Sequence, residues 1–260
     1  MKENIISHIK SLPPLPKSVL EIQRITADEN SSISDLVKVI KQDPLLTANL
    51  LKVANSPLYG FTREIKSIDQ VVSLFGMSTI KGFAISFAVR NSMKFDLSAY
   101  KIDENRFHTI STKRNALVVN WFKRDRNRLD VLATDSFLID IGAVVISLVL
   151  ISENKADLFA SKLNKDNREE VEKEFVGATT EEITAEIFRH WRFSNDLIET
   201  IENINNPQGR YKVESAALLV AKTLYDLITD GDKDKAVKIA KEYDLDYVGL
   251  KDSIKVVESI

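Results

Sequence analysis

The side chains able to carry chemistry are few and scattered. Histidine occurs three times in 260 residues, at His8, His108 and His190, and cysteine does not occur. Disulfides, thiolate metal sites and a cysteine nucleophile are therefore excluded. Histidines so far apart define no Ser-His-Asp relay, and the sequence has no phosphate-binding glycine loop and no G-x-S-x-G elbow. Asp140 stands out because it lies in the most apolar stretch, Phe137 to Ile151. A buried lone carboxylate is costly, so Asp140 must be paired, hydrogen-bonded or protonated. It either binds a cation or a ligand hydroxyl, or makes a polar contact that fixes helix packing.

The other candidates divide the same way. Asn55, Ser56 and Tyr59 either mark a binding surface or shape a loop, since Asn55 suits a helix end and Pro57 stops continuation. His8 is expected at the surface. His108, in Arg106-Phe107-His108-Thr109, is either a ligand or a structural residue. His190, beside Trp191, is expected as a hydrogen-bonded histidine at a helix end. The run Lys123-Arg124-Asp125-Arg126-Asn127-Arg128 follows Trp121-Phe122. Basic residues beside an aromatic can bind single-stranded nucleic acid. The run is short, contains Asp125 and is expected in a solvated interhelix loop, where it could also dock an acidic protein.

The elements that must hold these residues are helices. Glycine (8) and proline (6) are too scarce for the turns of a β-rich chain this long. Ile33, Leu36, Val37 and Ile40 follow the helical template, with Ser32 or Ser34 able to cap them. Asp43-Pro44 starts the next helix. Ser67 caps another with the stripe Ile68, Val71, Val72 and Phe75, and Gly76 is expected as its left-handed C-terminal residue. Met77–Arg90 reads as a central helix. Polar residues 91–103 suggest a boundary between an N-terminal lobe, 1–95, and a second lobe, 96–260. In the second lobe, helices are expected at Glu104–Phe122, Val131–Ile151, a charged pair through 156–176, Glu181–Trp191, Asp196–Ile204, Val213–Ile228 and a short C-terminal pair. The stretch around Asp140 is shorter than the ~20 apolar residues of a bilayer span. The N-terminus lacks the apolar core of a signal peptide.

Three segments carry a family resemblance. They are Leu12-Pro13-Pro14-Leu15-Pro16, then the run from Gln42-Asp43-Pro44 through Ala54-Asn55-Ser56-Pro57-Leu58-Tyr59-Gly60, then Ile65-Lys66-Ser67-Ile68 through Leu74-Phe75-Gly76. Asp140-Ile141-Gly142 and Phe188-Arg189-His190-Trp191 fit later segments. In this order they resemble the HD-related output domain (HDOD) family over about 12–207. The resemblance implies an all-α fold, an N-terminal helical bundle packed on an HD-domain-like helical core. It also implies a bacterial signalling protein; family members often stand beside receiver or cyclic-dinucleotide domains, and with none read in this sequence the input is expected in trans.

HD hydrolases need several imidazole and carboxylate ligands around a metal. Where the resemblance places the His-Asp pair, this chain reads Ile139-Asp140, and Ala143 stands where a lysine is common. Ile204-Asn205 and Thr180 occupy two further positions where family members carry histidine. One carboxylate cannot hold a catalytic metal, so no catalytic residue, metal or cofactor is expected. The reading is a non-enzymatic, cytoplasmic signal-transduction domain that binds a protein partner. The alternative is a small-molecule, nucleotide-like sensor using the vestigial HD cleft. A residual phosphohydrolase built on Asp140 and His108 is a third reading. The net charge of -2 gives no support to nucleic acid or a membrane surface as partner. Asp140, His108, Asn55 and Tyr59 are the candidate binding residues.

Overall fold

The computed structural model describes residues 2–61, 63–164 and 167–259, and every regular element among them is helical. The N-terminal elements are α1 (Glu3–Lys10), α2 (Lys17–Ala27), α3 (Ile33–Lys41), α4 (Pro44–Ala54) and α5 (Ile68–Ser92). The second group starts with α6 (Glu104–Trp121), α7 (Arg126–Leu138), α8 (Ile141–Ser152), α9 (Ala156–Lys162) and α10 (Arg168–Val176). It continues through α11 (Thr180–His190), α12 (Asn195–Glu202), α13 (Lys212–Leu224), α14 (Lys233–Glu242) and α15 (Tyr247–Glu258). One-turn 3-10 helices lie at Pro57–Tyr59 and Ser98–Tyr100.

Local chemistry sets the boundaries. Ser32, not Ser34, caps α3 and forms a capping box with Asp35. Asp43 accepts from the Leu46 N–H while Pro44 occupies the first turn of α4. Ser67 caps α5 through Gln70 N–H. Gly76 departs from expectation: at φ 78°, ψ 166° it is not a left-handed helix stop but an extended conformation open essentially to glycine alone. The chain resumes helix at once, so α5 is two helical segments meeting at a kink.

α2, α3 and α4 cover the first part of α5, and α5 packs broadly along α7. Phe83 of α5 touches Phe137 of α7 at a centroid distance of 5.3 Å. The helices before and after the stretch 91–103 share one continuous apolar core, to which Met93, Leu97, Ala99 and Tyr100 of that stretch belong. α1 crosses the expected division: it packs on α8 and α11, and Lys2 N–H donates to Val176 O at 3.1 Å. Trp191 Nε1 donates to Pro13 O at 3.0 Å, so the first residues lie against the second lobe.

The expected helix Val131–Ile151 is two helices, α7 and α8, broken at Ile139-Asp140. α8 is apolar on nearly every face and therefore central. Gly142 lets α11 approach it: a Cβ there would lie 2.2 Å from Thr180 O. Two stretches, Ile68–Ser92 and Arg126–Ser152, are long and apolar enough to cross a bilayer by composition. In the fold they are core helices, one kinked at Gly76 and the other broken before α8.

Candidate functional site: a buried ionic cluster at Asp140

Asp140 is the N-cap residue of α8, not a residue inside an apolar helix. The N-cap aspartates of α4, α6, α7, α14 and α15 all accept from a backbone N–H of their own helix. Asp140 makes no such cap. Its Oδ2 accepts from Arg114 Nη1 on α6, and its Oδ1 lies 3.0 Å from Arg168 Nη2 on α10.

The cluster extends outward from these two arginines. Arg168 Nε donates to Glu172 Oε1 at 2.8 Å, and Arg168 Nη2 donates to Thr180 Oγ1 at 2.9 Å. Thr180 donates to Glu172 through its N–H and its hydroxyl, both at 2.6 Å. Tyr100 donates to Glu172 Oε1 at 2.8 Å, and the Arg168 guanidinium lies 5.4 Å from the Tyr100 ring centroid. Arg114 Nε donates to Tyr225 O at 2.8 Å, anchoring the guanidinium to the end of α13. On the far side Lys222 Nζ donates to Glu181 Oε1 at 2.5 Å and to Asn205 Oδ1 at 2.9 Å. Asp140, Glu172 and Glu181 are buried, with the cations Arg114, Arg168 and Lys222 against them.

Burial pushes the Asp140 carboxyl upward, but Arg114, Arg168 and Lys222 outweigh that and hold it well below the ordinary range. Burial opposes the Arg168 charge, and Asp140, Glu172, Tyr100 and Glu181 outweigh it, raising its pKa. Glu181 is likewise disfavoured by burial and lowered on balance by Lys222 and Arg168. Asp140, Arg168 and Glu181 are therefore held in their charged forms, while the Tyr100 hydroxyl is pushed up by burial and by Glu172.

An HD-type metal does not fit these residues. Among the described residues no group of three His, Cys, Asp or Glu side chains could hold a metal ion. Both Asp140 oxygens face guanidinium groups, and Ile139 has no donor atom in its side chain. Thr180 and Asn205, at positions where the family resemblance expects ligands, both join the cluster, Thr180 through Glu172 and Asn205 through Lys222.

The remaining candidates lie elsewhere. His108, on α6, has a buried Nε2 without a hydrogen-bond partner among the described residues and lines a small cavity with Phe107, Ser111 and Leu138. His190 Nε2 is 3.2 Å from Leu12 O at the end of α11, and half-buried His8 lies on α1. Asn55 clamps the loop after α4: its Nδ2 donates to Leu51 O and Ile65 O at 2.9 Å, and its Oδ1 accepts from Ile65 N–H at 2.8 Å. Tyr59 is buried, packs edge-on against Phe75 and Phe83, and donates to Asn115 Oδ1 at 2.9 Å. Burial raises its pKa. The basic run is not all loop: α7 begins at Arg126, capped by Asp125, and Arg128 pairs with Asp125 and Glu214.

Sequence reading missed Arg114, Arg168, Glu172, Glu181 and Lys222. A signal existed for Arg114, which falls on the helical stripe Phe107, Ser111, Arg114, Val118 and Trp121. A cation at a core position demands a buried anion. Asp135 was missed as well. It is fully buried in α7 and neither oxygen has a hydrogen-bond partner among the described residues. Burial and nearby Asp196 raise its pKa well above the ordinary value, against a smaller opposing effect of Lys81.

A helical lobe joined through α5 and α7 to a second helical group, with an aspartate opening the central helix, defines an HD-domain-like helical protein. The HDOD domain model matches residues 12–207, and the chain belongs to that family. A virulence factor from Campylobacter jejuni subsp. jejuni is 28% identical, with 99% of this chain and 95% of that one covered and a TM-score of 0.60. A protein of Shewanella amazonensis SB2B that carries a phosphohydrolase name is 23% identical, with 98% and 94% covered and a TM-score of 0.73. A Marinobacter aquaeolei VT8 protein named for signal transduction is 19% identical, with 99% and 59% covered and a TM-score of 0.71. An uncharacterized protein of Treponema pallidum (strain Nichols) is 32% identical over 83 residues, 32% of this chain and 16% of that protein.

Proposed function

We propose that this chain is a non-enzymatic regulatory module of bacterial signal transduction, acting in the cytoplasm by binding a protein partner. In this reading the degenerate HD-type centre serves as a closed ionic joint between α6, α8 and α10. The observation that carries the reading is the engagement of buried Asp140 by two arginines. A hydrolytic centre needs an open metal position and a bound water, and these cations use the carboxylate instead. HDOD membership and the signal-transduction name of the Marinobacter protein support the regulatory side. The burial of Asp140, Glu172 and Glu181 argues against the alternative of a nucleotide-like ligand in the same cleft.

Two measurements test the two halves. The purified chain is incubated with Mn²⁺, Fe²⁺, Ni²⁺ or Mg²⁺, then assayed for bound metal and for hydrolysis of bis(p-nitrophenyl) phosphate. The expected result is no stoichiometric metal and no turnover above the metal-only blank; turnover abolished by Asp140→Asn would overturn the non-enzymatic reading. Tagged chain is then captured from its native cells after brief crosslinking and read by mass spectrometry. A specific protein lost on substitution of exposed residues such as Leu45 is expected. Enrichment of nothing above background would overturn protein binding.

A further inference from the structure

The kink at Gly76 gives the second segment of α5 its own N-terminus, half-buried at Gly76, Met77 and Ser78. A helix leaves its first N–H groups without intrahelical acceptors and carries partial positive charge there. Gly76, Met77, Ser78 and Thr79 all line one cavity of about 470 Å³ between the N-terminal lobe and the α6–α7 connection. Thr79 is only 1% exposed, lines that cavity, and its Oγ1 has no hydrogen-bond partner among the described residues. A buried hydroxyl left unmatched is costly unless a partner arrives.

Lys123 and Arg126 stand at the same cavity, and among the described residues its lining contains no carboxylate. Neither residue makes an ion pair among the described residues, whereas neighbouring Arg128 makes two. Arg126 is also the first residue of α7, where a cation is electrostatically unfavourable. Two cations without ion pairs, a helix N-terminus and an unmatched hydroxyl thus line one cavity with no anion among the described residues. Phe61, Leu74, Val119 and Leu129 supply apolar wall beside them. A cavity of this size suits a small organic molecule.

We infer that this cavity binds a small organic phosphate, its oxyanion on the N-terminus at Met77–Thr79 and beside Lys123 and Arg126, its apolar or aromatic body against Phe61 and Leu74. The site is separate from the Asp140 cluster and independent of whether that cluster is hydrolytic. Phosphate groups seat on exposed backbone N–H groups at helix starts, and charge-assisted bonds from lysine and arginine add to the hold.

The test uses the full ¹⁵N-labelled chain and amide spectra. Probes are phenyl phosphate, inorganic phosphate, neutral phenol and adenosine monophosphate. Phenyl phosphate should shift the amides of Met77, Ser78 and Thr79 saturably and bind about tenfold tighter than inorganic phosphate, because its ring is buried. Phenol should leave those amides unmoved. The double variant Lys123→Ala/Arg126→Ala, altered only at exposed side chains, should weaken phenyl phosphate about tenfold. Adenosine monophosphate binding tighter than phenyl phosphate would identify a nucleotide as the source of the phosphate; weaker binding would identify a smaller phosphate ester. The inference fails if phenyl phosphate gives no saturable shift at millimolar concentration, if the double variant binds it equally well, or if phenol matches it.

Discussion

Arg114 on α6 and Asp140 at the head of α8 form an ion pair in which neither side chain is more than 1% exposed. Desolvating two charges is expensive, and their attraction repays it only when further partners complete the site. Part of that set is present: Arg168 faces the second Asp140 oxygen and Tyr225 O accepts from Arg114 Nε, while Arg114 Nη2 and Arg168 Nη1 have no hydrogen-bond partner among the described residues. A metal ion in this place would come and go with supply and pH. Guanidinium groups are permanent, because arginine stays charged at any physiological pH. The joint therefore ties α6, α8 and α10 together under all such conditions.

Arg114→Met should destabilise the fold by about 3–5 kcal/mol, because it leaves a buried carboxylate facing one cation fewer. The double variant Arg114→Met/Asp140→Leu should recover much of that loss, since it removes both charges at once. Urea denaturation of the two variants measures it. Equal or additive losses would show that the pair's charges do not govern the site.

Asp140 and Asp135 should bend the pH-stability curve in opposite directions. The Asp140 pKa is lowered in the fold, so its contribution is present above the unfolded value of about 3.9 and is lost as pH falls through the folded value. The Asp135 pKa is raised by burial and Asp196, so the native state holds its proton longer than the unfolded chain does. Its contribution is present below about 3.9 and declines as pH rises toward the folded value. Denaturation midpoints of wild type, Asp140→Asn and Asp135→Asn from pH 3 to pH 8 separate the two. Asp135→Asn should gain on wild type as pH rises, while Asp140→Asn should fall furthest behind at neutral pH and least in acid. A wild-type to Asp135→Asn difference that is flat with pH would reject the buried-acid account.

The helices were legible because their signals are local. Ser32, Asp43 and Ser67 cap where their hydroxyl or carboxylate chemistry says they should. The break at Ile139-Asp140 was not legible, since apolar residues continue unbroken on both sides and only tertiary ion pairing turns Asp140 away from the helix. Asp140 could be recognised as needing a partner, but not which partner. Arg168 is 28 positions away in a segment that reads as an ordinary charged helix, and nothing local ties it to α8. α1 was hidden for the same reason, its apolar face being only Ile5 and Ile9.

Gly142→Ala should cost about 3 kcal/mol, the upper part of the usual range for overpacking. The added Cβ would meet Thr180 O at 2.2 Å and Thr184 N at 2.9 Å, both backbone atoms that cannot rotate away. The Gly142 N–H also donates to Thr184 Oγ1 at 3.0 Å, a bond that separation of α8 from α11 would break. Thermal denaturation is the measurement. A loss below about 1 kcal/mol would mean that α11 shifts freely on α8.

Ile139→His rebuilds the His-Asp dipeptide and should still bind no metal. Position 139 is fully buried at the break between α7 and α8, and its carbonyl accepts from Thr184 Oγ1 at 3.1 Å. A new imidazole would add one donor atom beside a carboxylate already engaged by Arg114 and Arg168. A divalent ion would have to displace both guanidinium groups and would find Thr180 and Asn205 where further ligands are needed. Burying the imidazole should itself cost about 1–3 kcal/mol. Elemental analysis after incubation with Mn²⁺ or Ni²⁺, beside the denaturation midpoint, tests both parts. Stoichiometric metal in the Ile139→His protein would show that the arginines yield to an ion, and would make the joint at Asp140 a convertible metal centre.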